Sequence, residues 1–232
     1  MRVLAWNIRQ GGGSRLARIA QAIALHDADI LVLSEYRGGD AAIRLRLALA
    51  DIGYRHASAT EPPPGRNGVL IAARERFRDR GVVDAALPEP YKIVDTTFAF
   101  GRLTGVYMPN LRAKVPYWDT LIAALPARAR TSALVVGDFN TCRPYLDEAG
   151  AIDATAYYMD RIEAIGFRDV WRQRFPEARE YSWYSHRNNG FRIDHAFFTA
   201  RLARRAGAIR YSHAERLAGL SDHSPLILDL TP

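Results

Sequence analysis

A chain of 232 residues, 48% of them apolar, can bury one substantial core and is expected to form a single unit over residues 1–232. Its lone cysteine, Cys142, excludes an internal disulfide and argues against a thiolate zinc site, in keeping with a reducing compartment. The formal charge of +7 favours a polyanionic partner, although all but two of the 32 basic residues are arginine, the exceptions being Lys92 and Lys114, and genomic base composition alone can produce that bias.

The first apolar run, 2–6, is strand-like and ends at Asn7; it is too short for the core of a signal peptide, and no later run is long enough to span a bilayer. A cytoplasmic protein without an obligate protein partner is the expectation. Leu16, Ile19, Ala20 and Ile23 then recur at helical spacing, and strand 30–33 follows, closed by Glu35. Glu61-Pro62-Pro63-Pro64-Gly65 reads as a surface loop before strand 68–72. Runs 93–98 and 102–108 are separated only by a turn and must pair as a hairpin, the second carrying Tyr107 at its end. Strand 133–136 leads into Gly137-Asp138-Phe139-Asn140, where a period of two projects Asp138 and Asn140 to one side and packs Phe139 inward. Tyr158, Ile162 and Ile165 mark another helix, closed by Gly166. Strands 193–198, 207–211 and 225–230 complete the chain, with Asp194-His195 inside the first and Asp222-His223 just before the last. This order is not a regular strand–helix alternation, so a mixed α/β sandwich is expected rather than a doubly wound sheet.

The polar residues gather at strand ends, where converging strands can form a cleft. Taken singly, each has an ordinary explanation: Asn7 as a strand terminator, Glu35 as a solvated loop residue, Gly137-Asp138 as a turn, Tyr107 as packing. Together they offer the hard carboxylate oxygens of Glu35 and Asp222 for magnesium, with Asn, His and Tyr groups of the kind phosphoester hydrolysis needs. His195 alternates away from Asp194 and reads as a satisfied core histidine. His26, His56, His186 and His213 carry no catalytic signal either.

Trp6-Asn7-Ile8, Ser34-Glu35, Tyr107-Met108-Pro109-Asn110, Gly137-Asp138-Phe139-Asn140, Arg192-Ile193-Asp194 and Ser221-Asp222-His223-Ser224-Pro225 resemble, in order, the motif set of the exonuclease III / apurinic-apyrimidinic endonuclease branch of the endonuclease/exonuclease/phosphatase superfamily. The resemblance implies a four-layer αββα sandwich with two packed mixed sheets, and a magnesium-dependent phosphodiester hydrolase, manganese being a possible substitute. It implies that Glu35, Asn7 and Asp222 hold the metal and that Asp138, oriented by Asn140, positions or deprotonates water. His223, paired with Asp194, would contact the phosphate, to which Tyr107 would donate. The general base stays open between Asp138 and His223. Asn110 and Arg112 are candidates for substrate contact, and Trp183, Phe191 and Ile193 match positions that line a pocket for a base-free sugar in the apurinic endonucleases, though they are equally readable as core aromatics and aliphatics.

Nucleic acid, DNA above all, is the expected partner. Arg9, the Gly11-Gly12-Gly13 loop, Ser34 before the metal-binding Glu and a short span from Asn140 to Met159 depart from the abasic-site enzymes, so a non-nucleic phosphoesterase is the alternative. A binding protein with a dead site is a remote third.

Overall fold

Alternation along the central strands decides the layering. In β1 (Arg2–Asn7), Val3 and Ala5 point one way and Leu4 and Trp6 the other, and β2 (Ile30–Arg37) repeats this with Ile30 and Val32 against Leu31 and Leu33. The first set is buried against a second sheet; the other is covered by α1 (Leu16–His26) and α2 (Asp40–Asp51). The computed structural model describes residues 1–150 and 153–231.

The first sheet runs in the order β13 (Ala206–Tyr211), β14 (Leu226–Leu230), β1, β2, β4 (Asn67–Ala73), β3 (His56–Ala57). The second runs β5 (Arg78–Val82), β6 (Ile93–Phe98), β7 (Gly101–Tyr107), β8 (Ala133–Asp138), β12 (Asp194–Thr199), β9 (Phe167–Asp169). Each sheet has one parallel pair at its centre, β1 with β2 and β7 with β8, among antiparallel neighbours. On the outer face of the second sheet, Trp118 and Leu121 of α3 (Val115–Ala124) and Tyr158 and Ile162 of α4 (Tyr157–Ala164) pack on Val106, Val135 and Phe197. The result is the four-layer αββα sandwich with two mixed sheets. A two-residue hairpin, β10 (Trp183–Tyr184) with β11 (Gly190–Phe191), stands beside them.

The sheets approach closely at Gly105 of β7, where an added Cβ would come within 2.8 Å of Val69 and 3.0 Å of Val32 on the facing sheet. At one end of this seam, the carboxyl ends of β1, β2, β7 and β8 open together.

All nine strands expected from apolar runs are present, and the 93–98/102–108 hairpin closes with Phe98 paired to Gly101. Two expectations need correction. Glu35 does not close its strand: β2 continues to Arg37 across a bulge between Ser34 and Tyr36. Asn140 lies beyond the end of β8 in a left-handed conformation (φ 46°), so a turn, not strand alternation, returns it to the side of Asp138. The short strands β3, β9, β10 and β11 offered no run to read, and β5 (Arg78-Asp79-Arg80-Gly81-Val82) is a polar edge strand. Helix α2 has apolar residues around its whole circumference, with Leu45 and Leu49 buried but Ile43 and Leu47 exposed, which blurs the stripe that marks a helix. No helix among the described residues is long and apolar enough to cross a membrane.

Candidate active site

Cross-strand register puts Tyr107 opposite Asp138 and Asp138 opposite Asp194, a single row across the ends of β7, β8 and β12. Gly137 makes the row possible: its φ of 142° is open to glycine, and a side chain there would strike the Val106 carbonyl at 2.1 Å. Asp138 is completely buried. Its Oδ2 accepts from Asn7 Nδ2 at 2.9 Å, a bond from the first sheet to the second across the seam. Its Oδ1 accepts from the Asn140 backbone N–H at 2.9 Å, and Asn140 Nδ2 donates to the Met108 carbonyl at 2.8 Å.

The loop carrying Asp222 and His223 is fastened on several sides. Buried Trp6 donates its indole N–H to the His223 carbonyl at 2.9 Å, Ser221 Oγ donates to the Asn7 carbonyl at 2.6 Å, and the Ser224 N–H donates to the Ser182 carbonyl at 2.8 Å. So held, His223 Nδ1 meets Asp194 Oδ2 at 2.8 Å. The backbone of Asp194 is itself fixed by the Ser182 hydroxyl and by Tyr211, whose hydroxyl donates to the Asp194 carbonyl at 2.6 Å.

Glu35 is the bulged residue of β2 and has a φ of 57°, a strained conformation for a non-glycine residue that turns it toward the cleft. Three donors orient its carboxylate: Asn7 Nδ2 at 3.2 Å, the Gln10 backbone N–H at 2.7 Å and Asn67 Nδ2 at 3.2 Å. Asp222 also lines the cleft, and its Oδ2 accepts from Trp183 Nε1 at 3.3 Å.

Two acidic groupings could be considered for a cation. Asp138, Asp194 and His223 bring ligand atoms within 4.8 Å of one another. Their donor atoms are already engaged, however, with His223 bonded to Asp194 and the Asp138 oxygens accepting from Asn7 and Asn140. That set suits holding a proton. Glu35 and Asp222, which line the open cleft, offer hard oxygens of the kind magnesium takes with one or two carboxylates while keeping water and phosphate as its other ligands. The residues present therefore fit a divalent cation on that side.

The cleft has a volume of about 700 Å³ and is lined by Glu35, Tyr107, Asp138, Asn140, Asp222 and His223 at its floor. Asn110 and Arg112 line it as well, as do Trp183, Phe191 and Ile193. Asn7 and Asp194 stand behind the floor, touching it through Asp138, Glu35 and His223. His195 is fully buried on the opposite side, bonded through Nε2 to the Thr141 carbonyl at 2.8 Å and packed on Phe139 and Phe197. His26 and His213 pair with Glu215 and Glu180. Residues not singled out from sequence also belong to the site. Asn67 bonds Glu35, Lys92 lies over the Tyr107 ring, and Lys114, Asp153 and Thr155 line the cleft beside Asn140.

Burial and the nearby Asp194 charge push the Asp138 carboxyl up to about 7, against the pull of His223. Burial disfavours the His223 imidazolium, but the charge and hydrogen bond of Asp194 outweigh it and push the group up to about 10. Burial, with the charges of Glu35 and Asp138, raises the Tyr107 phenol far above its ordinary value, so it stays a donor. At neutral pH the floor thus combines a carboxyl poised to take a proton, a cationic imidazole and a neutral phenol.

Fold and site together define a four-layered hydrolase with a polar cleft at the ends of two facing sheets. The chain belongs to the endonuclease/exonuclease/phosphatase family, which its sequence matches over residues 4–223. Among solved structures it resembles an AP endonuclease from Archaeoglobus fulgidus (TM-score 0.88, 23% identity, 99% of each chain covered). It equally resembles the 3' phosphatase NExo from Neisseria bound to product DNA hairpin (TM-score 0.88, 23% identity, 100% of each chain). The Xenopus laevis APE2 catalytic domain is more distant, with a TM-score of 0.78 and 16% identity over 100% of this chain and 92% of that one. No curated protein sequence matches the chain significantly.

Proposed function

We propose that residues 1–232 act as one magnesium-dependent phosphodiesterase whose substrate is nucleic acid, DNA in preference. The observation that carries this reading is Asp138, buried beside the cleft, held by Asn7 and Asn140 and raised to about 7, with a charged His223–Asp194 pair alongside. A general base is most effective when its pKa lies near the working pH. His223 is protonated through that range, so Asp138 takes the proton from the attacking water and His223 donates to the phosphate. Tyr107 donates a second hydrogen bond as negative charge grows on the phosphoryl oxygens. Glu35 and Asp222, with the Asn7 amide beside them, would hold the cation, which when bound polarises a phosphate oxygen and steadies the leaving oxygen. The aromatic wall and the positive charge of the chain suit a strand with stacked bases.

The test is incubation with magnesium, and separately with EDTA, on matched DNA duplexes, one intact and one with a single abasic analogue, beside a small phosphodiester. Cleavage of DNA that EDTA abolishes supports the reading. Incision confined to the abasic position would assign the Trp183–Phe191–Ile193 wall to a base-free sugar. Turnover of the small ester alone would move the substrate to a non-nucleic phosphodiester. Unchanged hydrolysis by Glu35→Gln would overturn the catalytic assignment.

A further inference from the structure

Only two of the 32 basic residues are lysine, and both are buried, Lys92 at 6% exposure against Tyr107 and Lys114 at 3% lining the cleft. Lys92 precedes β6 and turns its ammonium onto the face of the Tyr107 ring, 4.0 Å from the centroid, while also reaching the Asn67 carbonyl at 3.3 Å and the Glu89 carboxylate at 3.5 Å. Lys114 follows the Asn110–Arg112 segment; its ammonium donates to the Asn140 carbonyl and to Asp153 Oδ2 at 3.2 Å. Lys92 therefore touches the ring of Tyr107 and Lys114 the backbone of Asn140, the two neutral residues of the catalytic floor.

We propose that Lys92 and Lys114 are positioning residues, the first acting through Tyr107 and the second through Asn140. The inference rests on the phosphodiesterase reading of this cleft. A cation on the face of a phenol draws electron density from the ring and makes its O–H a stronger donor, while fixing the ring plane. Lys92 also anchors the backbone of Asn67, whose amide orients Glu35, so one ammonium braces two groups of the floor. Asn140 is in the left-handed conformation that asparagine tolerates better than most residues, and its backbone N–H and side-chain amide both point at Asp138. The Lys114 bond to its carbonyl completes the set of contacts that pins this turn.

Lysine in place of arginine fits the geometry. The ammonium is compact and has three donors; Lys92 finds a carbonyl, a carboxylate and a ring face around it. A planar guanidinium would bring five donors into the same buried space and leave some unsatisfied. Arginine at these positions should therefore fail to substitute although it keeps the charge.

The experiment is a pair of double-mutant cycles on the full chain, Lys92→Met with Tyr107→Phe and Lys114→Met with Asn140→Ala, using bis-p-nitrophenyl phosphate and magnesium. Each lysine variant is expected to lower kcat about tenfold with KM within about twofold; Lys92→Met should have little further effect in Tyr107→Phe, and Lys114→Met a smaller one in Asn140→Ala, which keeps the backbone carbonyl and N–H of residue 140. Lys92→Arg and Lys114→Arg should fall with the methionine variants. Equal losses in both backgrounds would overturn the proposal and leave the phosphodiesterase reading intact. Unchanged activity in Tyr107→Phe or Asn140→Ala would instead remove that group from the machinery, and its lysine's role with it. If a methionine variant does not fold, Lys→Gln, which keeps an amide donor, completes the same cycle.

Discussion

Two buried groups of charged side chains meet at β12 and are built on opposite principles. Behind the strand, Arg192 donates to Asp147 at 2.8 Å and to Asp169 at 2.7 Å, Arg172 also donates to Asp147, and His195 approaches Asp169 at 3.4 Å. Two guanidiniums face two carboxylates. On the cleft side, two carboxylates face one imidazole: Asp194 bonds His223, while Asp138 accepts from the neutral amide of Asn7. Burial raises the carboxyls of Asp169, Asp147 and Asp138 alike, but it is outweighed at Asp169 and Asp147, which Arg192 and the neighbouring cations hold below the usual range, and it prevails at Asp138. Matched charge gives a rigid support; unmatched charge gives a group that can exchange a proton near neutrality.

The comparison breaks most sharply at Asp138. Asp138→Asn should lower kcat about 10³-fold. Stability at neutral pH should stay within about 1 kcal/mol of the parent, because relief of repulsion with Asp194 offsets the poorer fit of an amide to Asn7 and Asn140. Rate assays together with urea unfolding check both halves. The parent should have a bell-shaped rate profile, rising as Asp138 ionises around pH 7 and falling as His223 loses its proton around pH 10. Asp194→Asn removes the charge that raises both groups, so both limbs should move to lower pH.

Arg192→Met reverses the outcome. Two buried carboxylates lose their main partner, which should cost about 3–5 kcal/mol in urea unfolding, while the folded fraction keeps roughly the parent kcat. The pH dependence of stability separates the clusters further. Asp169 and Asp147 have depressed folded values, so their contribution is complete above the unfolded carboxyl value of about 3.9 and is lost as pH falls below it. Asp138 has a raised folded value, so its effect has the opposite sign: stability is greatest below about 3.9 and declines as pH rises toward about 7. Unfolding measured across pH should show an acid limb blunted in Arg192→Met and a decline from pH 4 to 7 blunted in Asp138→Asn.

What the sequence made legible follows from how local each signal is. Nine strands were readable because a buried strand needs an apolar run, and Asn7, Tyr107 and Asp138 were readable because they terminate such runs. Arg192 fell within a recognised motif, yet its role depends on Asp147 and Asp169, 45 and 23 residues away, and nothing near it in sequence reveals them. Asn67 and Lys92 enter the site the same way, one from the first residue of β4 and one from the turn before β6, and meet Glu35 and Tyr107 only through strand pairing, β4 with β2 and β6 with β7. The two lysines were visible as a compositional exception; their placement was not. The bulge at Glu35 was hidden because an extra residue in one strand is defined only against its partner.

The smallest effect concerns Trp183, where support and chemistry overlap. Its ring packs on Phe191 at 5.6 Å between centroids and its indole N–H donates to Asp222 at 3.3 Å, so the same side chain forms the aromatic wall and orients a carboxylate placed to hold the cation. Trp183→Phe keeps most of the wall and deletes the hydrogen bond. If Asp222 is a metal ligand, loss of such an outer partner should weaken magnesium affinity about tenfold, read as a rightward shift in the magnesium dependence of the rate with little change at saturation. A lowered plateau with an unchanged magnesium midpoint would instead place Trp183 on the substrate and leave Asp222 without a need for its support.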